Sequence, residues 1–154
     1  MRSKQQKVAD LVASLEDRGL NPYYAGYFNY FNRALYYEAH DVLEQLWLAD
    51  RHGPNGAFYK GLIQLAGAFV HLQKNRLRPA AALFKLARAN LAQYPPFHER
   101  LAINTVLAMI DHWIGRLEES DFAMNPLAPD HAPMLAPDPP RDQPQPTTKG
   151  IGTR

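Results

Sequence analysis

Apolar residues along this chain recur at spacings of three and four, the interval that puts side chains on one face of a helix. Val8, Leu11, Val12 and Leu15 predict an amphipathic helix over residues 4–17, with Gly19 as its C-terminal stop. Asn21-Pro22 makes a break, and an aromatic link with Tyr23, Tyr24, Tyr27 and Phe28 follows. A second helix is predicted from about residue 27 or 29 to residue 50, with Phe31, Leu35, Ala39, Val42, Leu43 and Leu46 as its apolar face. The third, from residue 55 or 56 to 74, is greasy on nearly every side and is therefore expected at the centre; Asn75 ends it. Arg78 or Pro79 opens a fourth that runs to about residue 91 or 93 and stops before Pro95-Pro96. A fifth spans about residues 99 or 101 to 118, on a stripe of Ile103, Val106, Leu107, Ile110, Trp113, Ile114 and Leu117.

No stretch alternates at period two, so no sheet is expected. The pattern predicts an all-α, compact bundle of about five helices. Its domain spans residues 1–123. Residues 124–154 hold eight of the thirteen prolines and few large apolar groups. They are expected to form an extended or disordered tail, touching the body at Met124, Leu127, Met134 and Leu135.

Composition narrows the function classes more than it selects one. A chain of 154 residues suits one domain with a real core. With no cysteine, disulfides, thiolate chemistry and cysteine-ligated zinc are excluded. A net charge of +2 gives no strong pull toward nucleic acid or anionic membrane, and the scattered Arg76, Arg78, Lys85 and Arg88 lack interleaved exposed aromatics. The longest greasy run, residues 62–72, is too short to span a bilayer and contains Gln64 and His71. The cytoplasm is the expected compartment, and the apolar second and third helices are compatible with a homo-oligomer.

Polar residues on the second and third helices carry the candidate chemistry. His40 and Glu44 stand one turn apart, with Arg33, Tyr37 and Arg51 along the same margin and Trp47 beside them; Glu38, Asp41 and Gln45 point more nearly to water. On the third helix Lys60, Gln64, Gly67 and His71 share one stripe. A buried amide or imidazole needs partners. Glu44, His40, Tyr37 and Tyr59 are the natural ones for Gln64 and His71. His52 and His112 are expected at the surface, His98 at the surface or as a cap near the fifth helix, and the Asp130-His131 pair lies in the tail.

Three readings of this polar site stay open. A satisfied network fixing helix register is structural. His40 and Glu44, with His71 as a further nitrogen, suit a divalent metal such as zinc, iron or manganese. Or His40, oriented by Glu44, is an acid–base group, with Lys60 or Arg33 neutralising an anionic substrate. A scaffold or partner-binding role is the non-enzymatic rival. The His-Glu-x-x-His peptidase pattern, Gly-rich phosphate loops and Rossmann fingerprints are all absent.

Phe31, the run Tyr36-Tyr37-Glu38-Ala39-His40-Asp41-Val42-Leu43-Glu44, Trp47, the run Tyr59-Lys60-Gly61-Leu62-Ile63-Gln64 and His71 resemble the motif of a small prokaryotic helical family, catalogued as domain of unknown function number 309. The similarity extends through Ala87, Leu91, Tyr94 and Pro95, covering about residues 28–97. It implies a compact all-α fold and a cytoplasmic protein, and it implies no established activity or cofactor. The family usually has Glu after the motif His, where this chain has Asp41; the shorter reach counts against Asp41 as a ligand.

Overall fold

The computed structural model describes residues 19–138. The helix expected over residues 4–17 lies outside them. Among the described residues are five α-helices: α1 (Pro22–Asn32), α2 (Tyr36–Asp50), α3 (Gly56–Gln73), α4 (Leu77–Leu91) and α5 (Ile103–Glu119). The all-α bundle is as the periodicity predicts, but its division into helices differs at one point.

The expected single helix from residue 27 or 29 to 50 is two. Asn21 caps α1, its Oδ1 accepting from the backbone N–H of Tyr23 at 2.9 Å and Tyr24 at 3.3 Å, with Pro22 in the first turn. The turn that closes the helix is at Ala34, which takes a left-handed φ of 59°. There the Ala34 N–H donates to the Phe31 carbonyl at 3.0 Å, and the Leu35 N–H to that of Tyr30 at 2.9 Å. This is the closure glycine usually makes at a helix C-terminus. Alanine does it here, so no breaker residue marks the turn. Asn75 closes α3 in the same way, with φ of 56° and the Arg76 N–H donating to the His71 carbonyl at 2.8 Å.

The central place expected for the third helix is the one α3 holds: it packs against both α2 and α4, and α5 packs on α4. Phe69 sits at the heart of the core. Its ring stacks on Tyr36 at 5.0 Å and meets Phe31, Phe84 and Trp113 edge-on at 5.6, 5.1 and 5.1 Å. Gly61 lets α3 and α4 approach closely, since a Cβ there would lie 2.8 Å from Leu91 Cγ.

A two-residue antiparallel pair, β1 (Phe97–His98) with β2 (Leu101–Ala102), precedes α5, where no sheet was expected. Its loop, Glu99 and Arg100, has φ of 49° and 59°. Positive φ at both loop residues matches the twist a tight hairpin needs, though Asn-Gly is the usual choice. Tertiary contacts hold this turn instead. The Glu99 carbonyl accepts from the Tyr24 hydroxyl at 2.8 Å, and the Arg100 carbonyl from the Asp138 N–H at 2.7 Å.

The segment after α5 is mostly extended and lies along the body. Leu135 is buried and Leu127 half-buried against the core, whereas Met124 and Met134, also expected to touch it, are 70% and 68% exposed. Asn32 holds Leu135 from both sides: its Nδ2 donates to the Leu135 carbonyl at 2.6 Å, and its Oδ1 accepts from the Leu135 N–H at 2.7 Å. No described helix is long and apolar enough to cross a membrane.

Candidate functional site

The polar margin of α2 carries a compact trio. His40, Asp41 and Glu44 place one potential ligand atom each within 4.8 Å of one another. Helical geometry explains this: Glu44 lies three residues beyond Asp41 and four beyond His40, so all three heads meet over one turn. His40 Nδ1 is 3.2 Å from Asp41 Oδ1. Asp41 is only 6% exposed, so its expected direction toward water is corrected. It lies on the buried side of α2, next to Val42 and Leu43, while Glu38 and Gln45 are exposed as expected. The shorter side chain is therefore no obstacle, because the backbone already brings it to the cluster. Among the described residues Asp41, and not His71, completes the group that could hold a metal.

A cavity of about 350 Å³ opens beside this trio, between α2, α3 and α4. Its polar lining is Tyr37, His40, Lys60, Gln64 and His71. Ile63, Val70 and Leu83 supply apolar walls, and Gly67 leaves the floor open, since a Cβ there would press to 3.0 Å from Leu83 Cδ1. Glu44 is half-buried and outside the lining. Tyr37 is largely exposed and its ring runs parallel to that of His40, with centroids 6.3 Å apart.

Lys60 Nζ lies 4.4 Å from the centre of the Trp47 ring, a cation–π contact that holds the ammonium without neutralising it. His71 Nδ1 is buried with no hydrogen-bond partner among the described residues. Its imidazole is held below the usual histidine pKa, first by burial and then by the nearby charges of Arg76 and Lys74.

Gln64 pairs elsewhere than expected. Its Oε1 accepts from Asn90 Nδ2 on α4 at 2.7 Å, rather than from groups on α2 or from Tyr59. Asn90 was not singled out in the sequence. Its signal is positional: it stands three residues after buried Ala87 and next to buried Leu91, on the flank of the inner stripe of α4.

Two expected supporting residues lie in other places. Arg33 is exposed, bonds to Asn29 Oδ1 at 3.2 Å and lines a separate cavity of about 620 Å³ with Arg100 and Asp138. Tyr59 belongs to an aromatic and polar cluster around Asn55, whose Nδ2 lies 3.5 Å from the Tyr59 hydroxyl and 2.8 Å from Glu99 Oε2. His98 joins that cluster, correcting its expected surface position. Its Nε2 is 2.7 Å from Asn55 Oδ1, and its ring packs 4.8 Å from Phe58 and 4.6 Å from Tyr94. The β hairpin, invisible in the periodicity, turns it inward. His52 and His112 are exposed as expected.

No curated protein and no solved structure matches the chain. Residues 24–83, which contain most of α1, all of α2 and α3 and the start of α4, and with them the trio and every residue lining the cavity, match the family model described as Domain of unknown function (DUF309), the family that the motif around His40 and Gln64 resembles.

Proposed function

We propose that the protein is a metal-dependent acid–base enzyme acting on a small molecule, with His40, Asp41 and Glu44 as the ligands of a divalent cation. One observation carries this reading: the three ligand atoms gather within 4.8 Å on one turn of α2, and His40 also lines a cavity large enough for a small substrate. One imidazole and two carboxylates suit zinc, iron or manganese. A cation in that set would polarise a substrate oxygen or acidify a bound water.

Asp41 lies 3.2 Å from His40 Nδ1 and fixes the orientation of the ring. Lys60, across the cavity, supplies positive charge for an anion that forms or binds there.

Metal analysis of the full chain after mild purification tests the proposal. The expected result is a stoichiometric divalent metal, lost in His40→Ala and in Glu44→Ala. A protein that arrives metal-free and takes up no added zinc, iron or manganese overturns it.

A further inference from the structure

We infer that the cavity between α2, α3 and α4 is a binding site for a small organic anion, a carboxylate or phosphate with a short apolar body, held by Lys60, Gln64 and His71. The inference deepens the proposed function, on which it rests for the chemistry that follows binding. It supplies the substrate class.

The first observation is the balance of charge around the cavity. Lys60 and the imidazoles of His40 and His71 line it, and among the described residues no carboxylate does. The acidic members of the trio lie behind His40, outside the lining.

The second is the orientation of Gln64. Asn90 Oδ1 faces Gln93 Nε2 at 3.4 Å. The Asn90 amide nitrogen then faces Gln64 and donates to its oxygen at 2.7 Å. With that oxygen engaged by α4, the group that Gln64 retains for the cavity is its NH₂, a donor. The whole polar lining can thus present donors: an ammonium, an amide NH₂, two imidazoles and the Tyr37 hydroxyl. Donors converging on one space match an oxyanion. Asn90 acts as a positioning residue, since it sets which end of Gln64 is offered.

The third is His71. The ring lines the cavity, and its buried Nδ1 has no hydrogen-bond partner among the described residues, so the protein itself does not satisfy the imidazole. The apolar walls Ile63, Val70 and Leu83 then fit a short hydrocarbon portion better than a bare ion.

The test uses the full chain freed of metal with a chelator and titrated with butyrate, inorganic phosphate and the neutral isostere butyramide. Binding is followed by calorimetry and by the His71 ring resonances. Saturable binding of butyrate or phosphate is expected. Lys60→Gln should weaken it about tenfold or more, the usual loss of a hydrogen bond to a charged group. Asn90→Ala should weaken it while leaving metal uptake unchanged. Binding by butyrate alone names a carboxylate substrate, and binding by phosphate alone names a phosphate ester.

Butyramide binding as tightly as butyrate, or no saturable binding of either anion by the wild-type chain, overturns the inference. Metal analysis of the same wild-type chain separates the two claims. Anion binding by a wild-type chain that takes no metal defeats the metal reading alone. Metal uptake without anion binding defeats this inference alone.

Discussion

His40 Nδ1 and Asp41 Oδ1 lie 3.2 Å apart, and the carboxylate is the more deeply buried of the two. A divalent cation held by the trio would bind the folded state alone, and this makes the apo protein's response to metal informative.

Added zinc or manganese should raise the melting temperature of the wild-type chain. A ligand that binds only the folded state at a hundredfold excess over its dissociation constant stabilises by about 2.7 kcal/mol. His40→Ala should remove most of the shift. Asp41→Asn keeps the shape and removes the charge, so it too should shrink the shift. Thermal denaturation with and without metal measures this, and an Asp41→Asn protein with the full wild-type shift would remove Asp41 from the ligand set.

The second expectation concerns His71. Its folded-state pKa is lowered by burial, with Arg76 and Lys74 acting in the same direction. The unfolded chain, with a histidine pKa of about 6.5, therefore binds the proton more readily than the folded one. Stability from this group is fully present above that value, and it is lost as pH falls toward and through the lower folded value. Denaturant unfolding should show a smaller fall in stability between about pH 7 and about pH 5 for His71→Gln than for wild type. The His71 ring resonances should titrate with a midpoint below about 6.5, and a midpoint at or above it would contradict the burial argument.

Much of this arrangement was legible before any coordinates. The 3.6-residue period located α3, α4 and α5 and put α3 at the centre. The stripe of Lys60, Gln64 and His71, set against His40, named most of the polar lining of one cavity. Three features were not legible, each for a physical reason. Asp41 was directed toward water because rotation about an ideal helix does not say how far neighbouring helices wrap around it. Gln64 was paired with α2 because nothing in the sequence says that Gly61 draws α4 in close enough for Asn90 to reach. His98 was left outside because the hairpin that aims it uses Glu99 and Arg100 at positive φ, where glycine or asparagine is the expected sign.

The hidden break between α1 and α2 leads to a third expectation. Ala34 holds a φ of 59°, a region costing a non-glycine residue about 1–2 kcal/mol. Glycine removes that strain but loses more entropy on folding, by about 0.5–1 kcal/mol. Ala34→Gly should therefore be neutral to stabilising, by up to about 1.5 kcal/mol. Ala34→Val, with a branched Cβ in the same backbone, should destabilise by about 1–2 kcal/mol. Equal stability of the two variants in denaturant unfolding would mean that the turn does not hold this conformation in solution.

Asn32 supplies the last expectation, because it treats Leu135 as a strand would. One amide satisfies both the N–H and the carbonyl of a residue 103 positions away, and the Leu135 side chain then reaches the core. Removing the amide leaves two partly buried backbone groups without partners, so Asn32→Ala should cost about 1–3 kcal/mol. Leu135→Ala removes the apolar side of the same anchor and should cost about 2–3 kcal/mol, the low end for a buried leucine. Since both act on one contact, the double variant should lose less than the sum. Limited proteolysis supplies the second readout: each variant should expose residues 124–138 to cleavage before the helices unfold. If both variants melt like wild type, the segment after α5 contributes nothing to the cooperative core, and the burial of Leu135 would be incidental to folding.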